Sequence, residues 1–340
     1  MTRRPSVVGS IASSYRAVIC DLDGVVYRGS RAVPGAIEAL GSLLGSGSSI
    51  TFATNNASRE PGVVEGHLKS LGMETGAWSV VTSAQAAAAC VVDRIGTSHP
   101  VLAVGGPGVG QALHEAGLRP VTAASGPSVG QAAAVVQGAG TNVNWRDLAE
   151  TAHQVRGGAL WVATNPDRSI PTSRGLAPGN GAMVAAVQAA VDVSPVVAGK
   201  PEPWLYQLAL RRLGVPATDA LVIGDRLDTD IAAAHAAGID SLFVLSGVHG
   251  LRDVVFCPRA ARPTFVGLDL AALTTAPDTF GAEVARLEKG VVHVDCAGLS
   301  VRDAIASVVV TTWHALDSGL EVIRDPGAWR SLEAWVSAGL

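Results

Sequence analysis

Two carboxylates stand two residues apart in Asp21-Leu22-Asp23-Gly24-Val25. An aspartate can attack phosphorus and hold it as an aspartyl phosphate. A neighbouring carboxyl can give a proton to the leaving oxygen and then take one from the attacking water. At a strand exit both side chains can point to one side, and Gly24 lets the backbone turn. A solvated turn uses the same residue types. Three further clusters tip the balance. Thr54-Asn55-Asn56 offers a hydroxyl and successive main-chain N–H groups before a helix, a cradle for phosphate. Its ordinary alternative is a helix cap supplied by Asn or by Ser58. Gly199-Lys200-Pro201-Glu202-Pro203 offers a compact cation for a phosphoryl oxygen. Lys69, Lys200 and Lys289 are the only three lysines, so one inside such a motif carries weight, although a surface lysine before a proline-started helix is the ordinary case. Gly224-Asp225-Arg226-Leu227-Asp228-Thr229-Asp230-Ile231 adds three carboxylates. Gathered carboxylates repel unless a cation neutralises them, and Mg²⁺ suits oxygen-only ligands. Taken singly, each of these Asp also reads as a helix cap.

All four clusters follow short apolar runs: Ala17 to Cys20, Ser49 to Ala53, Val196 to Ala198 and Leu221 to Ile223. Ser241 to Leu245 is a fifth. Continuous rather than alternating apolar strands suit a parallel sheet buried on both faces. Helical spacing follows at Pro34 to Leu44, Pro203 to Leu213 and Asp228 to Ala237, the last closed by Gly238. The expected fold is α/β: a doubly wound parallel-sheet (Rossmann-like) core, whose active site lies at the carboxyl ends of the strands. A second strand–helix series, Val101 to Val104, Ala133 to Val136 and Ala159 to Ala163, interrupts it. The expected division is a core of 1–86 plus 183–265, with Val196 to Ala198 as one of its strands, and an inserted α/β domain of 87–182. A small α+β C-terminal extension, 266–340, lacks motif residues. Its deletion is expected to harm solubility or assembly more than chemistry.

The chain has 340 residues, with 25 Lys plus Arg against 29 Asp plus Glu and a formal net charge of −4. That excludes a nucleic-acid reader driven by bulk positive charge and gives no reason to bind an anionic membrane. No apolar run approaches the roughly 20 residues that span a bilayer, and Met1 to Ser14 does not read as a signal peptide. Cys20, Cys90, Cys257 and Cys296 show no CxxC pair, which suits reduced thiols and a cytoplasmic setting. The eight histidines have no HxH or HExxH spacing, which speaks against zinc. Gly105-Gly106-Pro107-Gly108-Val109-Gly110 does not fit a dinucleotide fingerprint and reads as a turn. Trp313, Trp329 and Trp335 suit packing or homo-oligomer formation.

In their order, DLDGVVY, TNN, GKPEPWLY and GDRLDTDI resemble the four motifs of the haloacid dehalogenase superfamily. The long insertion between the second and third is similar to that of its phosphatases with a large α/β cap, the branch that includes p-nitrophenyl, pyridoxal and glycerol-3-phosphate or phosphoglycolate phosphatases. The resemblance covers roughly Tyr15 to Pro263. It implies that Asp21 is the nucleophile and Asp23 the general acid/base. Thr54, Asn55 and Asn56 would bind the phosphoryl group and Lys200 would orient it. Asp21, the main-chain carbonyl of Asp23 and Asp225 would ligate Mg²⁺, with Asp230 supporting the site from behind. Thr164-Asn165-Pro166-Asp167 and Pro178-Gly179-Asn180-Gly181 resemble substrate-facing cap loops, so Asn180 is expected to touch substrate. Pyridoxal phosphatases carry a histidine three positions after the aspartate of the first loop. Here that position is Ile170, which lowers the pyridoxal-phosphate reading; the resemblance to the branch alone puts glycerol 3-phosphate first, with 2-phosphoglycolate or pyridoxal phosphate as alternatives. A catalytically silent binding protein on this fold should have lost one of Asp21, Asp23, Lys200 or Asp225, and all four are present.

Overall fold

The apolar runs become parallel strands in a computed structural model of the chain, which describes residues 10–74, 76–124, 130–172, 174–274, 285–294, 301–322, 333–334 and 336–338. Two compact units result, one of residues 1–50, 71–78 and 215–340 and one of residues 51–70 and 79–214.

The first unit holds most of a six-stranded sheet. Four strands lie wholly within it, parallel and in the order Phe265–Gly267, Asp240–Val244, Ala220–Gly224, Ala17–Cys20. The other two, Ser49–Thr54 and Trp78–Thr82, start here and end in the second unit. Every residue of Ala17–Cys20 and of Ala220–Gly224 is buried, as expected for strands covered on both faces. The helix expected from Asp228 begins as a wide turn over Leu227–Ile231. It becomes α-helical over Ala232–Ala237 and stops at Gly238 in the left-handed conformation (φ 68°, ψ 31°), the glycine stop that the sequence shows.

The C-terminal extension is not a separate appendage. Its helix Val301–Asp317 places Ile305, Val308, Val309 and Trp313 in one apolar cluster with Leu227, Ile231, Phe243, Leu245, Leu251, Val254 and Val255. Leu227 and Ile231 belong to the acidic fourth motif, so the extension packs beneath the segment that carries it. Trp313 Nε1 donates to the Val254 carbonyl at 3.1 Å. The Arg262 guanidinium lies 4.9 Å from the centre of the Trp313 ring and donates to Asp317 at 2.9 Å. Replacing Trp313 by Ala should therefore cost about 3–5 kcal/mol of stability, the usual range for a buried tryptophan. Denaturant unfolding of the whole protein checks this, and a loss below about 1 kcal/mol would show that the extension is an accessory. Trp329, Trp335 and Cys296 lie outside the described residues. Cys20, Cys90 and Cys257 are buried and in no disulfide among the described residues; burial pushes the Cys257 thiol up to about 11. Among the described residues no helix is long and apolar enough to cross a membrane.

The second unit is built on a five-stranded parallel sheet in the order Val196–Val197, Leu160–Ala163, Ala134–Gln137, Pro100–Val104, Arg119–Val121. The three inner strands fall where the sequence places them. Val196–Val197 does not join the core sheet; it pairs with Val162 and Ala163. Two β-branched residues fit the edge of either sheet, and the tertiary fold decides which. Leu102, Val135, Val155, Trp161 and Val187 form the core between this sheet and its helices. The glycine-rich turn at 105–110 opens the helix Pro107–Glu115. Gly106 and Gly108 lie against the backbone of residues 57–59, where a Cβ would strike main-chain oxygens. Close backbone approach, not a nucleotide, accounts for these glycines.

Candidate active site

Asp21 stands one residue past Ala17–Cys20. Its N–H donates to the Ile223 carbonyl at 2.9 Å, which extends the strand ladder to it. The chain then folds back on Leu22, whose carbonyl accepts from the N–H groups of Val25, Val26 and Tyr27. Leu22, Val25 and Val26 are fully buried, so apolar anchoring fixes the loop of the first motif. Gly24 has φ +87°, and a Cβ there would strike the Asp225 carboxylate. Only glycine meets both demands. Asp23 lies on this turn with its side chain exposed.

Asp225 follows the Ala220–Gly224 strand and is completely buried. Its Oδ2 accepts the Val248 N–H at 2.6 Å. Asp230, 1% exposed, lies on the wide turn, and its Oδ2 accepts the Arg226 N–H at 3.1 Å. Asp228 turns away: Arg226 grips it through Nε at 3.0 Å and Nη2 at 2.9 Å. That hydrogen-bonded guanidinium holds the Asp228 carboxyl below its ordinary range. One carboxylate oxygen each from Asp21, Asp225 and Asp230 lies within 4.8 Å of the other two. Like charges at that spacing repel by roughly 3–4 kcal/mol per pair at an effective dielectric constant near 20. Three buried oxygen donors, mutually repelling and without nitrogen or sulfur, fit a hard divalent cation. The sequence puts Asp230 behind the ligands, whereas the structure draws it into the group. The Asp23 carboxylate is not one of the three.

Two bracing residues escape sequence reading. Ser246 Oγ donates to the Gly24 carbonyl at 2.9 Å. Arg28 directs Nε and Nη2 to the Ser246 carbonyl. The loop that donates to Asp225 is thereby tied to the loop that carries Asp21. The one available signal is the position of Ser246 just past another parallel strand, Asp240–Val244.

The second and third motifs meet within the second unit. Thr54 is buried, and its Oγ1 accepts the Asn56 N–H at 3.0 Å. Its own hydroxyl hydrogen must therefore point elsewhere. Asn56 Oδ1 accepts from Ser58 N at 3.0 Å and Ser58 Oγ at 2.7 Å, the ordinary turn role of such a residue. Lys200 is 3% exposed, and its Nζ donates to the Ala53 carbonyl at 3.3 Å. The Asn55 side chain holds the Lys200 peptide from both sides. Its Oδ1 accepts the Lys200 N–H at 2.8 Å, and its Nδ2 donates to the Lys200 carbonyl at 3.0 Å. The same Nδ2 reaches Asp167 Oδ2 at 3.3 Å.

Asn180, expected to touch substrate, lies inside the second unit. It is fully buried at the start of the helix Asn180–Gln188, and its Nδ2 donates to the carbonyls of Asn165 (2.8 Å) and Gln137 (3.2 Å). Its Nδ2 thus ties two loops together, while its buried Oδ1 has no hydrogen-bond partner.

Two family models match the chain, one described as haloacid dehalogenase-like hydrolase over residues 18–119 and one as HAD-hydrolase-like over residues 197–273. D-glycerol 3-phosphate phosphatase of Mycobacterium tuberculosis is 42% identical over 323 residues, spanning 90% of this chain and 88% of that protein. Acid sugar phosphatase of Staphylococcus aureus is 37% identical over 259 residues, 75% of this chain and 95% of that protein. Among solved structures, glycerol phosphate phosphatase from Mycobacterium tuberculosis in complex with magnesium superposes with a TM-score of 0.83 and 38% identity, covering 96% of this chain and 99% of that one.

Proposed function

The chain belongs to the haloacid dehalogenase-like hydrolases, and on that footing we propose that it is a Mg²⁺-dependent phosphatase of small phosphomonoesters with glycerol 3-phosphate as its substrate. The observation that carries this reading is the buried trio of Asp21 and Asp225, each just past a parallel strand, and Asp230 on the wide turn Leu227–Ile231. These residues, with the main-chain carbonyl of Asp23, would hold the cation. When bound, Mg²⁺ neutralises the carboxylates and the phosphoryl oxygens so that an anionic nucleophile can approach phosphorus.

Asp21 supplies a carboxylate oxygen that bonds to phosphorus as the ester P–O bond breaks, giving an aspartyl phosphate. Asp23 gives its proton to the departing alkoxide, which leaves as the alcohol. It then takes a proton from water as that water attacks the same phosphorus. The Asp21–phosphorus bond breaks, and inorganic phosphate leaves. Lys200 and the Thr54 hydroxyl hold phosphoryl oxygens, beside the main chain of Asn55 and Asn56. Asn180 serves by fixing the Asn165 loop.

The extension supports the choice of glycerol 3-phosphate. Ninety per cent of the chain is about 306 residues, so the match to the glycerol 3-phosphate phosphatase runs beyond residue 265. The acid sugar phosphatase matches only 259 residues. Ile170 on the strand Ser169–Thr172 speaks against pyridoxal phosphate. Buried thiols in no disulfide among the described residues agree with a cytoplasmic setting.

Phosphate release should be measured with Mg²⁺ across glycerol 3-phosphate, 2-phosphoglycolate, pyridoxal phosphate and sugar phosphates. The kcat/KM for glycerol 3-phosphate should exceed the others by at least about tenfold, a difference of about 1.4 kcal/mol in transition-state binding. A different leading substrate would replace the substrate reading. No release from any of them by a folded, Mg²⁺-binding protein would favour a silent binding protein.

A further inference from the structure

We propose that Asn55 and Asn165 are positioning residues that set the orientation of Lys200, and that the Asn165–Asp167 loop tunes phosphoryl binding through them. The inference rests on the reading of Lys200 as a phosphoryl-binding residue.

Asn55 closes a two-bond ring with the Lys200 peptide through its Oδ1 and Nδ2. Such a ring fixes the backbone from which a long, flexible ammonium side chain starts. Asn55 is itself held from two directions. Its carbonyl accepts Ser83 Oγ at 2.7 Å and Asn165 Nδ2 at 2.7 Å. Asn165, 5% exposed, also turns its own loop, because its Oδ1 accepts the Asp167 N–H at 3.2 Å. Behind it stands Asn180, donating to the Asn165 carbonyl. A continuous series of amide contacts therefore runs from Asn180 through Asn165 and Asn55 to Lys200. Amide bonds of this kind, part-buried at Asn55 and buried at Asn180, favour one geometry, because a broken bond leaves a polar group short of a partner.

This arrangement separates the two roles that the TNN motif could play. The side chain of Asn55 is committed to the lysine, so its direct use as a phosphoryl ligand would cost the ring. Asn165 Nδ2 is committed to the Asn55 carbonyl, which gives it a direct route to the lysine through Asn55.

The test is a double-mutant cycle on the full chain with Asn165→Ala and Lys200→Ala, read as kcat/KM for phosphomonoester hydrolysis. The inhibition constant of inorganic phosphate is the second readout. Alone, Asn165→Ala should lower kcat/KM about 10–100-fold and weaken phosphate inhibition, with Mg²⁺ affinity by calorimetry unchanged. In the Lys200→Ala background, the same change should alter kcat/KM by less than about twofold, because the group it positions is gone. If Asn165→Ala lowers the melting temperature, Asn165→Ser replaces it. A serine keeps the local turn through its hydroxyl but is too short to reach Asn55.

Equal losses in both backgrounds, or no loss from either Asn165 variant, would overturn the positioning role. If Lys200→Ala itself stays within about threefold of the parent, it is the phosphoryl-lysine reading that fails.

Discussion

Asp21→Asn should reduce phosphate release by at least about three to four orders of magnitude, as loss of a nucleophile does when positioning groups remain. The amide is isosteric with the carboxylate, so the buried site next to the Ile223 carbonyl keeps its packing. What changes is nucleophilicity and charge. An amide does not form the acyl phosphate, and the neighbouring Asp225 and Asp230 lose one repelling partner. Two readouts should therefore move in opposite directions. Activity collapses, while the melting temperature in EDTA rises, because two of the like-charge contacts among the three carboxylates are removed. Mass spectrometry must exclude deamidation back to Asp. Near-normal hydrolysis by the verified Asp21→Asn protein would remove Asp21 from the nucleophile role. A lower melting temperature in EDTA would contradict the crowding of the three carboxylates.

The chemistry of this chain was legible in its sequence where residue type and chain position carry it together. Asp21 and Asp225 each directly follow an apolar run that folds as a buried strand, which places them at strand exits, whereas Asp230 lies farther on in the wide turn. Lys200 stood out because lysine is otherwise so scarce. Properties set by tertiary packing were not legible. Val196-Val197 is too short to declare its sheet. Pro178-Gly179-Asn180-Gly181 has the composition of an exposed turn, but Gly179 opens a helix there and sinks Asn180 into the interior. The partners of the Asn55 amide depend on a loop more than a hundred residues away. The tail has no motif, so only the fold reveals that Val308, Val309 and Trp313 pack under Leu227 and Ile231. An apolar face names no partner until the chain has folded.

Chelation with EDTA should abolish turnover and added Mg²⁺ should restore it, while Gly247→Ala should separate the cation from the fold. Gly247 carries no catalytic atom. It lies so close to Asp225 that a single Cβ would overlap the carboxylate, and the neighbouring Val248 N–H is the donor that aims Asp225 Oδ2. A methyl group there must push Asp225 out of line or displace the loop. Either movement spoils the spacing of the three carboxylates without opening the core. Disturbing a group that orients a metal ligand commonly costs about 10–100-fold in metal affinity, and the Mg²⁺ concentration for half-maximal activity should rise by that factor. Gly250→Ala three residues on is the matched control, since its nearest neighbour beyond the local chain would be Asp253 Oδ2 at 3.9 Å, an ordinary contact. Calorimetric titration and activity against Mg²⁺ concentration, both on the full chain, decide the matter. Equal Mg²⁺ requirements for the two variants would mean that Asp225 does not hold the cation, whereas a rise confined to Gly247→Ala ties the metal to Asp225.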